Sequence, residues 1–154
     1  MDIPTASNEV LLAISIDRTA KSPCVIASPS TDPGDMFALS QKFPFTYGTS
    51  AVDDEALLTA LYSLLNISKA AQPHVKKLLN NLNDIFVSKE AFVLETKVVV
   101  SEDGGLQVQG ARFGFDDAAF RSGKRQADVH ALRDKDAEVW EEVEAEKDQI
   151  VYVK

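Results

Sequence analysis

Two long runs of β-type residues, Ala91 to Ser101 (AFVLETKVVVS) and Leu106 to Phe115 (LQVQGARFGF), are separated only by Glu102-Asp103-Gly104-Gly105. Apolar and β-branched runs flanking a glycine-containing turn predict a hairpin of antiparallel strands. The hairpin constrains the fold because of what precedes it. Two leucine-rich segments with helical spacing stand there, in place of the single crossover helix of a parallel sheet. Leu57, Leu61, Leu64 and Leu65 recur at helical intervals behind Asp53 and Asp54. Aspartates in that place cap a helix and suit its positive end. Val75, Leu78, Leu79, Leu82, Ile85 and Phe86 make a second stripe, with Pro73 near its start where proline is tolerated. Lys76, Lys77, Asn80 and Asn81 fall largely on the solvated side, so the stripe reads as core packing between neighbouring helices.

The rest of the chain fits around this centre. Glu9 to Asp17 and Pro23 to Ala27 read as a hairpin joined at Thr19 to Ser22. Ser28 to Asp35 is a loop dense in Ser, Asp, Pro and Gly. Met36 to Phe43 reads as a third strand, closed by Pro44 and the Tyr47-Gly48 corner. Beyond the second hairpin, Asp116 to Phe120 reads as a first helical turn interrupted by Ser122-Gly123-Lys124. A short helix is expected at Ala127 to Leu132, then a charged helix from Lys135 to Lys147 and a final strand from Ile150 to Val153. Residues 1–8 read as a flexible N-terminus and residues 9–154 as a single domain. The order is not strict β-α alternation. It predicts an α+β fold: a mainly antiparallel sheet with helices packed on one face.

Composition narrows the function classes. The hydrophobic fraction of 45% supports a packed core and argues against disorder throughout. A formal net charge of −8 makes nucleic acid an unlikely primary ligand, since binding phosphates non-specifically needs clustered Lys and Arg. No stretch approaches the ~18 apolar residues of a membrane span, so no direct membrane insertion is expected. The start, Met1-Asp2-Ile3-Pro4-Thr5, has neither a signal-peptide nor a transit-peptide pattern, and organellar residence would imply a presequence removed or not included. The single cysteine, Cys24, sits in an apolar run and reads as a buried strand residue. His74 and His130 lie in other segments, so no Cys-His pair is indicated.

Other motifs reduce to ordinary structure. Ser122-Gly123-Lys124 lacks the preceding strand and first glycine of a phosphate loop. No Cys/His spacing suits zinc. Asp116-Asp117 reads as a helix cap rather than a cation site. The Glu-rich stretch from Glu138 to Glu146 reads as a solvated helix face. Gln107 and Gln109 are expected to face the same way on their strand.

The segment from Leu94 to Asp134, LETKVVVSEDGGLQVQGARFGFDDAAFRSGKRQADVHALRD, resembles the end of the ATP-grasp region in the β-subunit of succinyl-CoA ligase. The family pattern there is LEINP, a strand pair, an aspartate shortly before a basic position, and an FDDxAxxR-like segment. Phe115 to Arg121 is similar to that last segment in its mitochondrial, fungal version. Glu141 to Lys147 and Val151-Tyr152-Val153 also look like the family, and weaker collinear matches fall at Leu11 to Arg18, Cys24 to Ser28 and Phe43-Pro44-Phe45. The family's N-terminal lysine and glycine-rich loop, and its C-terminal ligase domain, have no counterpart in this chain.

The resemblance implies a nucleotide held by Mg²⁺, with oxygens from the asparagine of LEINP and the aspartate of the returning strand. Glu95 matches the glutamate of that motif, but Lys97 stands at the asparagine position and Gly110 at the aspartate position. One residue is missing around Val98, which predicts an altered hairpin register. Lys97 donates no lone pair and repels a cation; like charges about 4 Å apart cost roughly 1 kcal/mol even in water. Glu95 is therefore a remnant, expected to pair with Lys97.

The reading that follows is a catalytically inactive, ATP-grasp-like lobe without its own cofactor, serving as a structural or protein-binding subunit of a larger assembly. The family resemblance places that assembly in the mitochondrial matrix. Trp140 and Tyr152 are candidates for its contact surface. The alternatives are a lobe that binds ATP or GTP with Mg²⁺ beside a succinyl-CoA ligase α-subunit, and a fragment of a longer polypeptide.

Overall fold

The computed structural model describes residues 7–116, 118 and 126–132. The chain divides into two compact units, residues 1–118 and 119–154. The first unit opens with β1 (Ser7–Asp17) and β2 (Ser22–Ser28), followed by α1 (Pro33–Leu39) and β3 (Gln41–Pro44). A 3₁₀ turn at Ala51–Asp53 leads into α2 (Glu55–Leu64) and α3 (Gln72–Ser88). The unit closes with β4 (Ala91–Ser101) and β5 (Leu106–Phe115). In the second unit the described helix is α4 (Ala127–Ala131), within the stretch predicted from sequence.

The five strands form one sheet in the order β3-β2-β1-β4-β5, antiparallel throughout. The fold is α+β, as the mixed element order predicts. Register explains where the core sits. Leu12 lies opposite Ala27 on β2 and Thr96 on β4, and Ile14 lies opposite Val25 and Leu94. These residues share one face with Val10 and Val98. They form one buried cluster with Leu57, Leu58 and Leu61 of α2 and Val75, Leu79, Leu82 and Phe86 of α3. Fully burying such a side chain contributes about 1.5–3 kcal/mol. Thr96 is the polar member of the row, and its hydroxyl donates to the Leu12 carbonyl at 2.8 Å. Leu11, Ala13 and Cys24 are buried as well, on the opposite face. Burial on both faces explains why LLAISI and CVIA are apolar runs rather than alternating ones.

Caps fix the helix ends. The Asp54 carboxylate accepts from the Ala56 and Leu57 amides at 3.0 Å each, as its place before the leucine stripe predicts. Gly104 holds a φ of +91° in the β4–β5 turn, and a Cβ there would lie 2.8 Å from the Ala70 carbonyl carbon. The hairpin tip therefore rests on the α2–α3 connection, where only glycine fits. Asp103 in the same turn accepts from the Ser101 hydroxyl and from the Gly105 amide. Those two bonds, the hydroxyl's first, hold its carboxyl below the usual range.

Two expectations are corrected. Met36 to Phe43 is not one strand: α1 occupies Pro33–Leu39 and β3 begins at Gln41. Asp32 caps α1 through a 2.9 Å bond from the Gly34 amide, and Pro33 opens its first turn. Phe37 is 78% exposed, so no buried strand face claims that apolar run. β1 also begins before the predicted strand start at Glu9. Ser7 and Asn8 already pair with Ser101 and Val100, and the Asn8 amide donates to the Leu65 carbonyl at 2.8 Å. The predicted helix at 135–147, the strand at 150–153, Ser122-Gly123-Lys124, Trp140 and Tyr152 lie outside the described residues.

Candidate functional site

β4 and β5 position the residues singled out from sequence. Glu95 lies opposite Arg112 and Lys97 opposite Gly110, while on the other side of β4 Glu95 faces Ala13 and Lys97 faces Leu11. All four candidate positions thus share the sheet face away from the helices, because Thr96 between them points into the core. Lys97 and Arg112 are exposed and Glu95 is half-buried. A Cβ built at Gly110 meets nothing within 4 Å, so the space beside Lys97 is open.

The β4–β5 ladder is irregular beside Val98. Lys97 pairs with Gly110 but Val98 pairs with Val108, so Gln109 is an extra residue bulged out of β5. Gln107 lies opposite Val99, while Gln109 has no partner on β4, and both are exposed. A second irregularity, between Ala91 and Val93, leaves Phe92 unpaired in the ladder. The Phe92 ring occupies the place a side chain at Gly114 would take.

The expected Glu95–Lys97 ion pair is not formed. Among the described residues the ion pairs are Lys42–Asp17 at 3.0 Å and Lys76–Glu55 at 3.5 Å. Residues two apart on a strand are separated by roughly 6.5–7 Å, whereas a direct cross-strand neighbour sits at about 4.5–5.5 Å. Arg112 is therefore the cation nearest to Glu95 by register. The set does not fit magnesium. That ion needs near-octahedral oxygen ligands. Lys97 offers three donors and no acceptor, and Gly110 offers no side chain. Among the described residues no three His, Cys, Asp or Glu side chains gather into a metal-binding group.

The remaining candidates behave structurally. Cys24 is buried on β2, and burial, with Asp17 nearby, pushes its thiol up. Asp116 accepts from the Ala118 amide at 2.9 Å, a capping geometry; Asp117 lies outside the described residues.

Sequence reasoning missed one feature. A groove of about 690 Å³ runs along Gly48, Thr49, Ser50 and Asp53 on one side and Asn83, Asp84, Val87 and Ser88 of α3 on the other. Asn83 is 7% exposed, and its amide oxygen has no hydrogen-bond partner. An unpartnered buried polar group costs roughly 1–3 kcal/mol. The signal was available: Asn83 falls four residues after Leu79 and three before Phe86, inside the apolar stripe.

The chain is 32% identical over 154 residues to the β subunit of an ADP-forming succinate–CoA ligase from Rhizobium leguminosarum bv. trifolii. That match takes in 96% of the chain and 38% of the relative. The corresponding subunits of Rhizobium meliloti and Brucella anthropi are each 32% identical over 152 residues. Its relatives are succinate–CoA ligase β subunits. The chain spans little more than a third of their length. No protein-family model matches it. The ATP citrate lyase of Methanothrix soehngenii, solved with citrate and coenzyme A, superposes with a TM-score of 0.58 at 15% identity, over 78% of this chain and 27% of that one. The Methanosaeta concilii ATP citrate lyase D541A mutant, with (3S)-citryl-CoA, gives a TM-score of 0.54 at 14% identity over 78% and 26%. The shared fold is ATP-grasp-like.

Proposed function

We propose that this chain is a catalytically inactive, succinate–CoA ligase β-like lobe that acts as a structural or protein-binding subunit of a larger mitochondrial assembly. The observation that carries this reading is the pairing of Lys97 with Gly110 at the two positions where the family resemblance calls for oxygen donors. A cation and a bare backbone face each other there, and the neighbouring carboxylate on β4, Glu95, lies opposite a second cation, Arg112. Removing both ligands while keeping the hairpin intact supports retention of the fold for its surfaces. The mitochondrial setting rests on the resemblance of Phe115 to Arg121 to the fungal mitochondrial pattern.

Calorimetric titration with Mg-ATP and Mg-GTP tests the reading. The expected result is no magnesium-dependent heat at micromolar nucleotide. Saturable micromolar binding that disappears with chelator overturns it in favour of a nucleotide-using ligase component. Mass spectrometry of proteins copurifying with the endogenous chain then identifies the assembly; recovery of a succinate–CoA ligase α subunit as the sole partner would favour the same ligase reading.

A further inference from the structure

On the sheet face away from the helices, β5 presents two glycines, Gly110 and Gly114, with Arg112 between them. Glycine weakens a strand interior, and its presence there often marks close approach by another group. At Gly114 the fold itself supplies that group. The irregularity between Ala91 and Val93 turns Phe92 onto the same face as Val93, and the Phe92 ring covers the place of a Gly114 side chain. At Gly110 the fold supplies nothing, since a Cβ would meet no atom within 4 Å.

The side chains around this gap define what fits it. Lys97 lies opposite Gly110, and both Lys97 and Arg112 are exposed. Neither takes part in the ion pairs found among the described residues, Lys42–Asp17 and Lys76–Glu55. Between them Glu95 is half-buried, so cations outnumber carboxylates at this end of the face, in a chain of net charge −8. The Phe92 ring is 53% exposed. The order along the face is therefore Lys97 beside Gly110, then Arg112, then the Phe92 ring over Gly114. Lys97 and Arg112 are diagonal neighbours, about 7–8 Å apart, and Gly114 follows Arg112 after roughly 7 Å. An extended chain repeats its side chains on one side at nearly the same interval, roughly 6.5–7 Å.

We infer that this face docks an extended acidic segment of a partner protein, with carboxylates at alternate positions and an apolar residue two further on, acid-x-acid-x-apolar. The carboxylates meet Lys97 and Arg112, the apolar residue meets Phe92, and bare Gly110 lets the partner's backbone come close. Charge complementarity selects this occupant. A nucleic acid would meet the repulsion of the whole acidic chain along its length, whereas a short segment meets two cations locally. The inference rests on the protein-binding reading and names the surface that reading uses.

Two-dimensional amide NMR of the full chain in EDTA, titrated with acetyl-Glu-Ser-Glu-Ser-Leu-amide, tests it. The chelator keeps magnesium-dependent nucleotide binding, which would sink the protein-binding reading, out of this readout. Saturable shifts confined to residues 91–98 and 108–115 are expected, fading as salt rises. The isomer acetyl-Glu-Glu-Ser-Ser-Leu-amide, whose carboxylates point to opposite sides when extended, binds roughly threefold more weakly. Lys97→Gln and Arg112→Gln, both at exposed positions, each weaken binding by roughly threefold and leave Tm unchanged. Phe92→Ala weakens it too, and the two charge variants read the site without disturbing the packing over Gly114. Absence of saturable shifts at those residues overturns the inference. So do equal binding of the isomer, unchanged binding in both charge variants, or tighter binding of an oligothymidylate.

Discussion

β1 and β5 belong to one sheet and have nearly the same length, 11 and 10 residues, yet they meet opposite demands. β1 is central: Val10, Leu12 and Ile14 are wholly buried under α2 and α3, and Leu11 and Ala13 are buried behind them. β5 is an edge, with no fully buried residue and with Val108 and Phe113 each about two-fifths exposed, at 42% and 41%. β1 therefore bears the core, β5 bears Gly110 and Arg112 outside it, and β4 between them does both, with Leu94 and Val98 inward and Glu95 and Lys97 on the other face. A hairpin whose outer strand bears little of the core can exchange an oxygen donor for glycine, or carry an added residue at Gln109, without loss of fold.

The comparison breaks most directly through the core. Leu12→Ala should cost about 2–5 kcal/mol in urea denaturation, whereas Val108→Ala on β5 should cost under about 1 kcal/mol. Equal losses would mean that β5 carries as much of the core as β1. The next effect sharpens it, because the hairpin is fastened at its tip. Gly104→Ala must accept a positive φ and displace the Ala70 backbone, and should destabilise by on the order of 2 kcal/mol, measurable as a drop in Tm.

On the exposed face the expected stability effect is smaller. Lys97→Asn with Gly110→Asp should leave stability within about 0.5 kcal/mol, since Lys97 is exposed and Gly110 has open space around it. Calorimetry should show magnesium-dependent nucleotide binding strengthened relative to the parent chain. Unchanged binding would mean that these two positions do not decide nucleotide binding. The smallest effect concerns the β1–β2 turn. Asp17 accepts from Lys42 Nζ and from the Ala20 and Thr19 amides, which hold its carboxyl below its ordinary value of 3.8, Lys42 most of all. A depressed folded value means that its contribution is present above the unfolded pKa and is lost as pH falls through the folded one. Lys42→Ala should move the Asp17 titration upward by NMR and shrink that acid-side loss.

Much of the fold was legible because local signals and tertiary demands agree. The β4–β5 hairpin matches its sequence bounds residue for residue, since apolar runs and Asp103-Gly104-Gly105 ask for the same thing. Asp54 and the leucine stripe likewise agree on α2. The strand expected at Met36 to Phe43 failed because the Asp32-Pro33 helix start outweighed an apolar run that nothing buries. At the site, Lys97 and Gly110 were identifiable by residue type, but their direct opposition depends on where the bulge falls, and no residue type marks Gln109 as the extra one. Glu95 was assigned the wrong neighbour because distance along a strand was weighed before distance across it. The Asn83 groove escaped because it joins α3 to a loop more than thirty residues earlier.

The Gln109 bulge has a bearing on solution behaviour. A straight edge strand with exposed Val108 and Phe113 would be an invitation to stack against a second copy, because its outward amides and carbonyls repeat at a regular spacing. The inserted residue kinks that row into two short segments out of phase with each other. Growth of the sheet from this edge is thereby discouraged by backbone shape.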